Sequence, residues 1–345
     1  MKKIIKRLSI FVLIIFLVNL VGCSNDNSGS KESNTEPTVA ENNESNKENE
    51  SSHYPVTVTT YNWAKEPVEI TFNEAPERVV AIYQSAIETL LALDQGDKIV
   101  AASYLDDPVK EEFQESFDKI KYYKQLPTKE EILALEPDFI TSWYSLFAEK
   151  VYGDISFWHE RDINTYIQQN SGVKSPNTLE NEYQDIINIG KIFNVEDKAN
   201  NIVKEMKQQI EKAKESVQNK EKVKAIILEV GKEGQYRIYG EDSIGGDIAT
   251  QVGADLVAKK SINIGMEDLI NLNPDVIFTV YYGDSIDSEK AVNSIMSNPA
   301  LGSISAVKND RVNPIVLSEV YASGIRTMDG INTIIEGIYP DMKGE

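Results

Sequence analysis

The chain has 345 residues, a formal net charge of −20, one cysteine and two histidines. So acidic a balance leaves no basic surface to neutralise phosphates, which excludes a nucleic-acid binder, and it works against electrostatic docking on an anionic bilayer. A lone cysteine excludes an internal disulfide, and two histidines are too few to cluster with carboxylates around a bare zinc or manganese ion.

Lys2, Lys3, Lys6 and Arg7 form a positive leader, and Leu8 to Val21 is an apolar run broken by Ser9 and Asn19. About 14 such residues are too few for the ~20 that cross a bilayer as a helix, and they match the hydrophobic stretch of a signal peptide, predicted over residues 1–22. Leu20-Val21-Gly22-Cys23 resembles the bacterial lipobox, which makes Cys23 the expected lipidation site and the new N-terminus. An ordinary signal peptide with a chance cysteine, or a membrane-anchoring helix, is the alternative. Residues 23–55 are rich in Asn, Ser and Glu and nearly devoid of apolar side chains, the composition of a disordered tether. His53 falls in that tether, and no metal-binding role is expected of it.

Beyond the tether, short apolar runs alternate with helical patterns. Val79–Ile82 is a predicted strand and Ser85–Leu93 a helix; Lys98–Ser103 is a second strand. Thr128–Leu135 reads as a short helix with Thr128 and Glu131 at capping-box spacing. Phe139–Trp143 and Ile163–Ile167 complete a first set of strands, helices are predicted over Asn177–Phe193 and Glu196–Gln218, and Lys224–Glu229 opens a second strand set. A helix from Gly245, another over Met266–Leu272 and the strand Val276–Val280 follow. The segment from Ile132 to Ile140 and that from Leu269 to Ile277 share one helix–Pro-Asp–strand form about 137 residues apart, a sign of internal duplication. The expectation is an α/β protein of two Rossmann-like lobes with parallel sheets, 56–194 and 221–345, joined by one long helix at 195–220.

The order Pro76-Glu77-Arg78-Val79-Val80, Glu88-Thr89-Leu90-Leu91-Ala92-Leu93, Leu135-Glu136-Pro137-Asp138, Gly245-Gly246-Asp247, Leu272-Asn273-Pro274-Asp275 and Asn298-Pro299 resembles the substrate-binding proteins of bacterial ABC importers with a single hinge helix. The resemblance spans Val68 to Tyr339. It implies two lobes with a ligand cleft between them, a permease and its ATPase as partners, and a ferric siderophore, cobalamin or haem as cargo. It further implies an acidic permease-docking residue on each lobe: Glu88 on the first, and Asp247 or Glu267 on the second, because Thr250 occupies the register of the family's acid. A monomer with no resident cofactor and no metal site of its own is expected.

Clefts of such folds are built at the carboxyl ends of strands. Those positions carry Tyr83, Tyr104, Trp143 and Tyr144, with Tyr122 and Tyr123 ahead of the Thr128 helix. The second half offers Tyr236, Tyr239, Tyr281 and Tyr282, and then Glu319, Tyr321 and Arg326. Rings ending strand after strand suit a wide, flat ligand with polar edges, and Arg326 suits an anionic group. Aromatic side chains at several of these positions resemble the cobalamin carriers of the family. A haem would need an axial ligand, for which His159, Met266 or a cleft tyrosine are candidates, although a lone His beside Trp158 reads first as structural. No Gly-x-Ser-x-Gly elbow, phosphate loop or HExxH occurs, so an enzyme is not expected. A surface lipoprotein with a hydrolase or adhesin role is the remote alternative.

Overall fold

The computed structural model describes residues 53–218, 221–283 and 287–342. Cys23, the leader and most of the tether lie outside them. The last residues of the stretch that composition assigns to the tether are packed on the fold: the His53 ring lies 2.8 Å from the Lys191 carbonyl, and the Tyr54 hydroxyl donates to the Ile192 carbonyl at 2.7 Å. A hairpin that the sequence reading missed follows. Strands β1 (Val56–Tyr61) and β2 (Pro67–Phe72) pair antiparallel, with Val56 opposite Phe72. Thr60 joins this hairpin to the neighbouring sheet, donating to the Ile167 carbonyl at 3.0 Å and accepting from its N–H at 2.7 Å.

The first lobe contains β3 (Val79–Ile82), helix α1 (Gln84–Ala92), β4 (Ile99–Ser103), β5 (Tyr122–Tyr123), α2 (Lys129–Leu133), β6 (Phe139–Ser142) and β7 (Asn164–Ile167). Its five strands lie in the order β5-β4-β3-β6-β7, every pair parallel. β3 and β6 are buried along their whole length, which is why they read as unbroken short runs rather than alternating ones. The capping box of α2 forms as its spacing predicts, Thr128 and Glu131 each accepting the other's backbone N–H.

Two helices lead to the second lobe. In α3 (Leu179–Ile192) and α4 (Glu196–Val217) the contact is close enough that a Cβ on Gly190 would fall 2.4 Å from that of Ala199. The 22 residues of α4 span about 33 Å. Its buried stripe of Ala199, Val203, Met206, Ile210 and Ala213 packs into the main core, and its Lys/Glu face is solvated.

The second lobe holds β8 (Lys224–Val230), β9 (Gln235–Ile238), α5 (Ile244–Gln251), β10 (Asp255–Leu256), β11 (Asn263–Gly265), α6 (Met266–Leu272), β12 (Val276–Tyr281), β13 (Val312–Val316) and α7 (Thr327–Ile338). The order β11-β9-β8-β12-β13 departs from an all-parallel sheet, since β9 runs antiparallel to both β8 and β11. The cause is local: Gly234 at φ +72° and the bond from Gly231 N–H to the Gln235 carbonyl turn the chain straight back after β8. Pro314 is tolerated in β13 because that strand lies at an edge.

The repeated helix stop has the same conformation in both lobes. Glu136 and Asn273 are both left-handed, at φ +48° and +42°, and a Pro-Asp pair follows each. The Asp138 carboxylate accepts the N–H groups of Glu77 and Arg78 at 2.7 and 3.0 Å, and Asp275 accepts that of Lys224 at 3.1 Å. Each aspartate thus holds the entrance of the strand beside it. The chain is an α/β protein of two lobes linked by a long helix, and these lobes pack as one unit.

Candidate functional site

The carboxyl ends of β3, β4 and β6 meet the second lobe, and aromatic side chains concentrate there. Tyr83 and Tyr104 both have positive φ, 79° and 63°. Such backbone is costly for a bulky residue and is held only where its surroundings compel it, which is characteristic of functional sites. The Tyr83 ring stacks on Trp143 with centroids 4.2 Å apart and planes 10° apart, and Tyr104 lies 5.2 Å from Tyr83. Trp143 in turn meets Tyr321 of the second lobe edge-on at 5.4 Å, so the aromatic surface crosses from lobe to lobe. Polar groups behind these rings fix their orientation: the Trp143 Nε1–H donates to Ser85 Oγ at 3.2 Å, Ser85 donates to Gln168 at 2.7 Å, and Tyr83 pairs with Ser145 at 3.1 Å.

At the flank, Tyr144 stacks on Trp63 at 5.1 Å, and the Lys65 ammonium lies 4.1 Å from its ring centre. Trp63 comes from the β1–β2 turn and was missed for that reason. Tyr123 carries the Lys121 ammonium over its ring, and the Tyr122 hydroxyl accepts the Leu105 N–H.

On the second lobe the hydroxyls of Tyr239 and Tyr282 point to the Glu229 carboxylate at 3.1 and 3.4 Å, and Arg237 approaches the same group at 3.5 Å. Tyr281, Tyr282, Glu229, Lys232 and Lys290 line a pocket of about 480 Å³. Glu229 was read only as a strand end; its place at the carboxyl end of β8 was the signal that could have found it. Glu319 accepts from Thr333 at 2.9 Å, and burial first and the neighbouring Asp329 next push its carboxyl up to about 7.

Several expectations need correction. Glu88 is not a solvated docking acid: its carboxylate is fully buried and accepts from Arg326 Nε at 2.5 Å, Arg326 Nη2 at 2.8 Å and Lys110 N–H at 2.9 Å. An apolar helix face carries a charge inward here because a guanidinium meets it there. Arg326 is consumed by the same pair and by the Pro108 carbonyl at 2.7 Å, which leaves no free guanidinium for an anionic ligand. Asp247 binds the Leu179 N–H at 2.8 Å and so caps α3 rather than facing a permease. Tyr236 and Tyr239 are buried, each 2% exposed, because antiparallel β9 turns them into the lobe. Glu267 is exposed in the first turn of α6. His159 lies 2.9 Å from Thr165 at the start of β7, at the sheet end opposite the rings, and burial lowers its pKa. Met266 packs partly buried in the second lobe's own core.

The model of the periplasmic binding protein family matches residues 79–315. The chain belongs to that family. As a periplasmic binding protein it is the substrate-binding part of an ABC importer and not an enzyme. It is similar to a periplasmic binding protein from Veillonella parvula DSM 2008, at 33% identity and a TM-score of 0.78 over 84% of this chain and 93% of that one. It is 24% identical over 343 residues to an uncharacterized ABC transporter substrate-binding lipoprotein of Bacillus subtilis (strain 168), covering 97% of this chain and 98% of the relative. A petrobactin-binding protein of the same organism is 24% identical over 325 residues, 91% and 92% of the two chains. Among the described residues no helix of this periplasmic binding protein is long and apolar enough to cross a membrane.

Proposed function

We propose that this chain captures a ferric siderophore or a related large metal chelate outside the cell and delivers it to a permease and its ATPase, while a lipid on Cys23 holds it at the membrane. The observation that carries the reading is the aromatic surface Tyr104–Tyr83–Trp143–Tyr321, which continues across both lobes at the carboxyl ends of their strands. Large flat rings give contact area at little conformational cost and suit a chelate's extended surface. Among the described residues no three His, Cys, Asp or Glu side chains are placed to hold a metal ion, so in this reading the cargo brings its own ligands. A corrinoid fits the same surface. Haem is less well served, because His159 hydrogen-bonds within the first lobe away from the rings. The likeness to a substrate-binding lipoprotein and to a petrobactin-binding protein supports both the anchor and the cargo class. Glu267 is the remaining candidate for permease docking.

Titration of the purified protein with ferric siderophores, cobalamin and haem tests the reading through quenching of Trp143 fluorescence. Saturable quenching by one of them, lost in Trp143→Leu, is expected; no quenching and no thermal shift with any would overturn it. Membrane association and incorporation of labelled fatty acid, both lost in Cys23→Ala, test the anchor.

A further inference from the structure

Three large aromatic side chains among the described residues are more than two-fifths exposed: Tyr104 at 47%, Trp63 at 44% and Tyr282 at 43%. Tyr104 and Tyr282 directly follow β4 and β12 and belong to the cleft by position. Trp63 belongs to neither central sheet; it sits in the β1–β2 turn. That turn is nevertheless held at the same edge of the first lobe. Thr60 pairs with Ile167 at the end of β7, and Gln169 Nε2 donates to the Thr59 carbonyl at 3.1 Å. The Tyr61 hydroxyl donates to Gln169 Oε1 and Lys65 Nζ to the Val173 carbonyl, both at 3.1 Å. A Cβ on Gly172 would fall 2.4 Å from the Tyr61 ring, so the hairpin lies flush on the segment that follows β7. β7 runs parallel to β6, whose carboxyl end leads into Trp143 and Tyr144.

The turn is fixed without help from the indole. The Asn62 N–H donates to the Glu66 carbonyl and the Glu66 N–H to Asn62 Oδ1, both at 3.0 Å, and Lys65 closes the turn at a left-handed φ of +59°. Trp63 lays one face on Tyr144, with centroids 5.1 Å and planes 13° apart, and the rest of the ring stays open to water. Tyr144 is bonded directly to Trp143, and its N–H is held by Ser171 Oγ at 2.9 Å, while Trp143 reaches Gln168 through Ser85. Residues 168–173 therefore seat both ring pairs, Trp63 with Tyr144 and Trp143 with Tyr83, on one strand end. Leaving so large an apolar face in water is unfavourable. An exposed ring that continues an aromatic surface marks a place where something binds, whereas a ring needed only for packing would be covered.

We infer that the β1–β2 turn is a third wall of the cleft and that Trp63 is a ligand-binding residue, its open face stacking on a planar aryl group of the chelate. The inference rests on the carrier function proposed above. The test uses the purified protein, calorimetric titration and two neutral ferric trihydroxamates that differ only in the acyl group on their terminal amine, benzoyl or acetyl. The benzoyl complex is expected to bind about fivefold tighter. Trp63→Ala should abolish that preference by weakening the benzoyl complex, and Trp63→Phe should keep most of it. The bound benzoyl complex should also shield Trp63 from oxidation, read by peptide mass spectrometry. Because Thr60, Tyr61 and Lys65 still hold the hairpin, the circular dichroism of Trp63→Ala should match that of the wild type. No preference in the wild type, an unchanged preference in Trp63→Ala, or equal oxidation of Trp63 with and without the benzoyl complex overturns the inference and leaves the carrier function standing. Where neither trihydroxamate binds but a ferric tris-catecholate, haem or cobalamin does, Trp63→Ala must weaken that complex or the inference falls. Inertness of all five probes overturns both.

Discussion

The two lobes use one frame and finish it differently. Each has a central parallel strand entered beside a Pro-Asp aspartate, and each precedes that aspartate with a left-handed residue. At the cleft the likeness ends. The first lobe, all parallel, presents ring faces whose hydroxyl and indole N–H groups are tied to neutral Ser85 and Ser145. The second lobe, with antiparallel β9, turns its rings inward or ties their hydroxyls to the charged Glu229. A short local rule therefore repeats the scaffold, while single loop residues decide what each lobe offers a ligand: one contributes surface, the other charge.

The largest test of this contrast concerns where the lobes are joined. Arg326→Met leaves the buried Glu88 without a counter-charge, holding only the Lys110 N–H, and should lower stability in urea by about 3–5 kcal/mol. Adding Glu88→Leu should restore most of it; a loss under about 1 kcal/mol would mean the pair is not what binds α1 to the second lobe. Next is the charged rim. Glu319 is raised to about 7, so its stabilising contribution is complete below about pH 4.5 and is lost as pH rises through about 7. Glu319→Gln should remove about 2–3 kcal/mol of that slope, while Glu182, also raised to about 7 by burial, keeps its own. A smaller effect separates the two helix stops. Asp138→Ala frees two backbone donors and should cost about 2 kcal/mol, against about 1 for Asp275→Ala, which frees one. Equal losses in thermal unfolding would erase that difference between the lobes. Smallest is the stacked face: Trp143→Leu should cost the free protein only about 0.5–1.5 kcal/mol, far less than its effect on ligand titration.

Features specified locally were legible in the sequence. The buried strands β3, β6 and β12 appear as short apolar runs, Thr128 and Glu131 announce a cap, and Ala199, Val203, Met206, Ile210 and Ala213 mark the packed stripe of α4. Rings after strands pointed to the cleft, and Tyr83, Trp143 and Tyr321 do come together. What depended on distant partners was not legible. Glu88 reads as a permease-docking acid because the guanidinium that buries it is 238 residues away. Tyr239 reads as a cleft residue because nothing in Gln235–Ile238 shows that the strand reverses. The Val-Thr alternation of β1 follows directly on a polar stretch, and its partner contact, Thr60 with Ile167, is 107 residues off.

The grip on His53 and Tyr54 has a mechanical consequence. Both bind carbonyls at the C-terminal end of α3, whose other end meets Asp247 of the second lobe after 14 residues, about 20 Å. Tension arriving along the chain ahead of residue 53 is therefore delivered to the seam of α3 and α4, at the base of the first lobe, and runs along a helix axis. It does not act as a lever across the cleft. If the lipid proposed on Cys23 holds the protein through this segment, it can be pulled on without being pulled open.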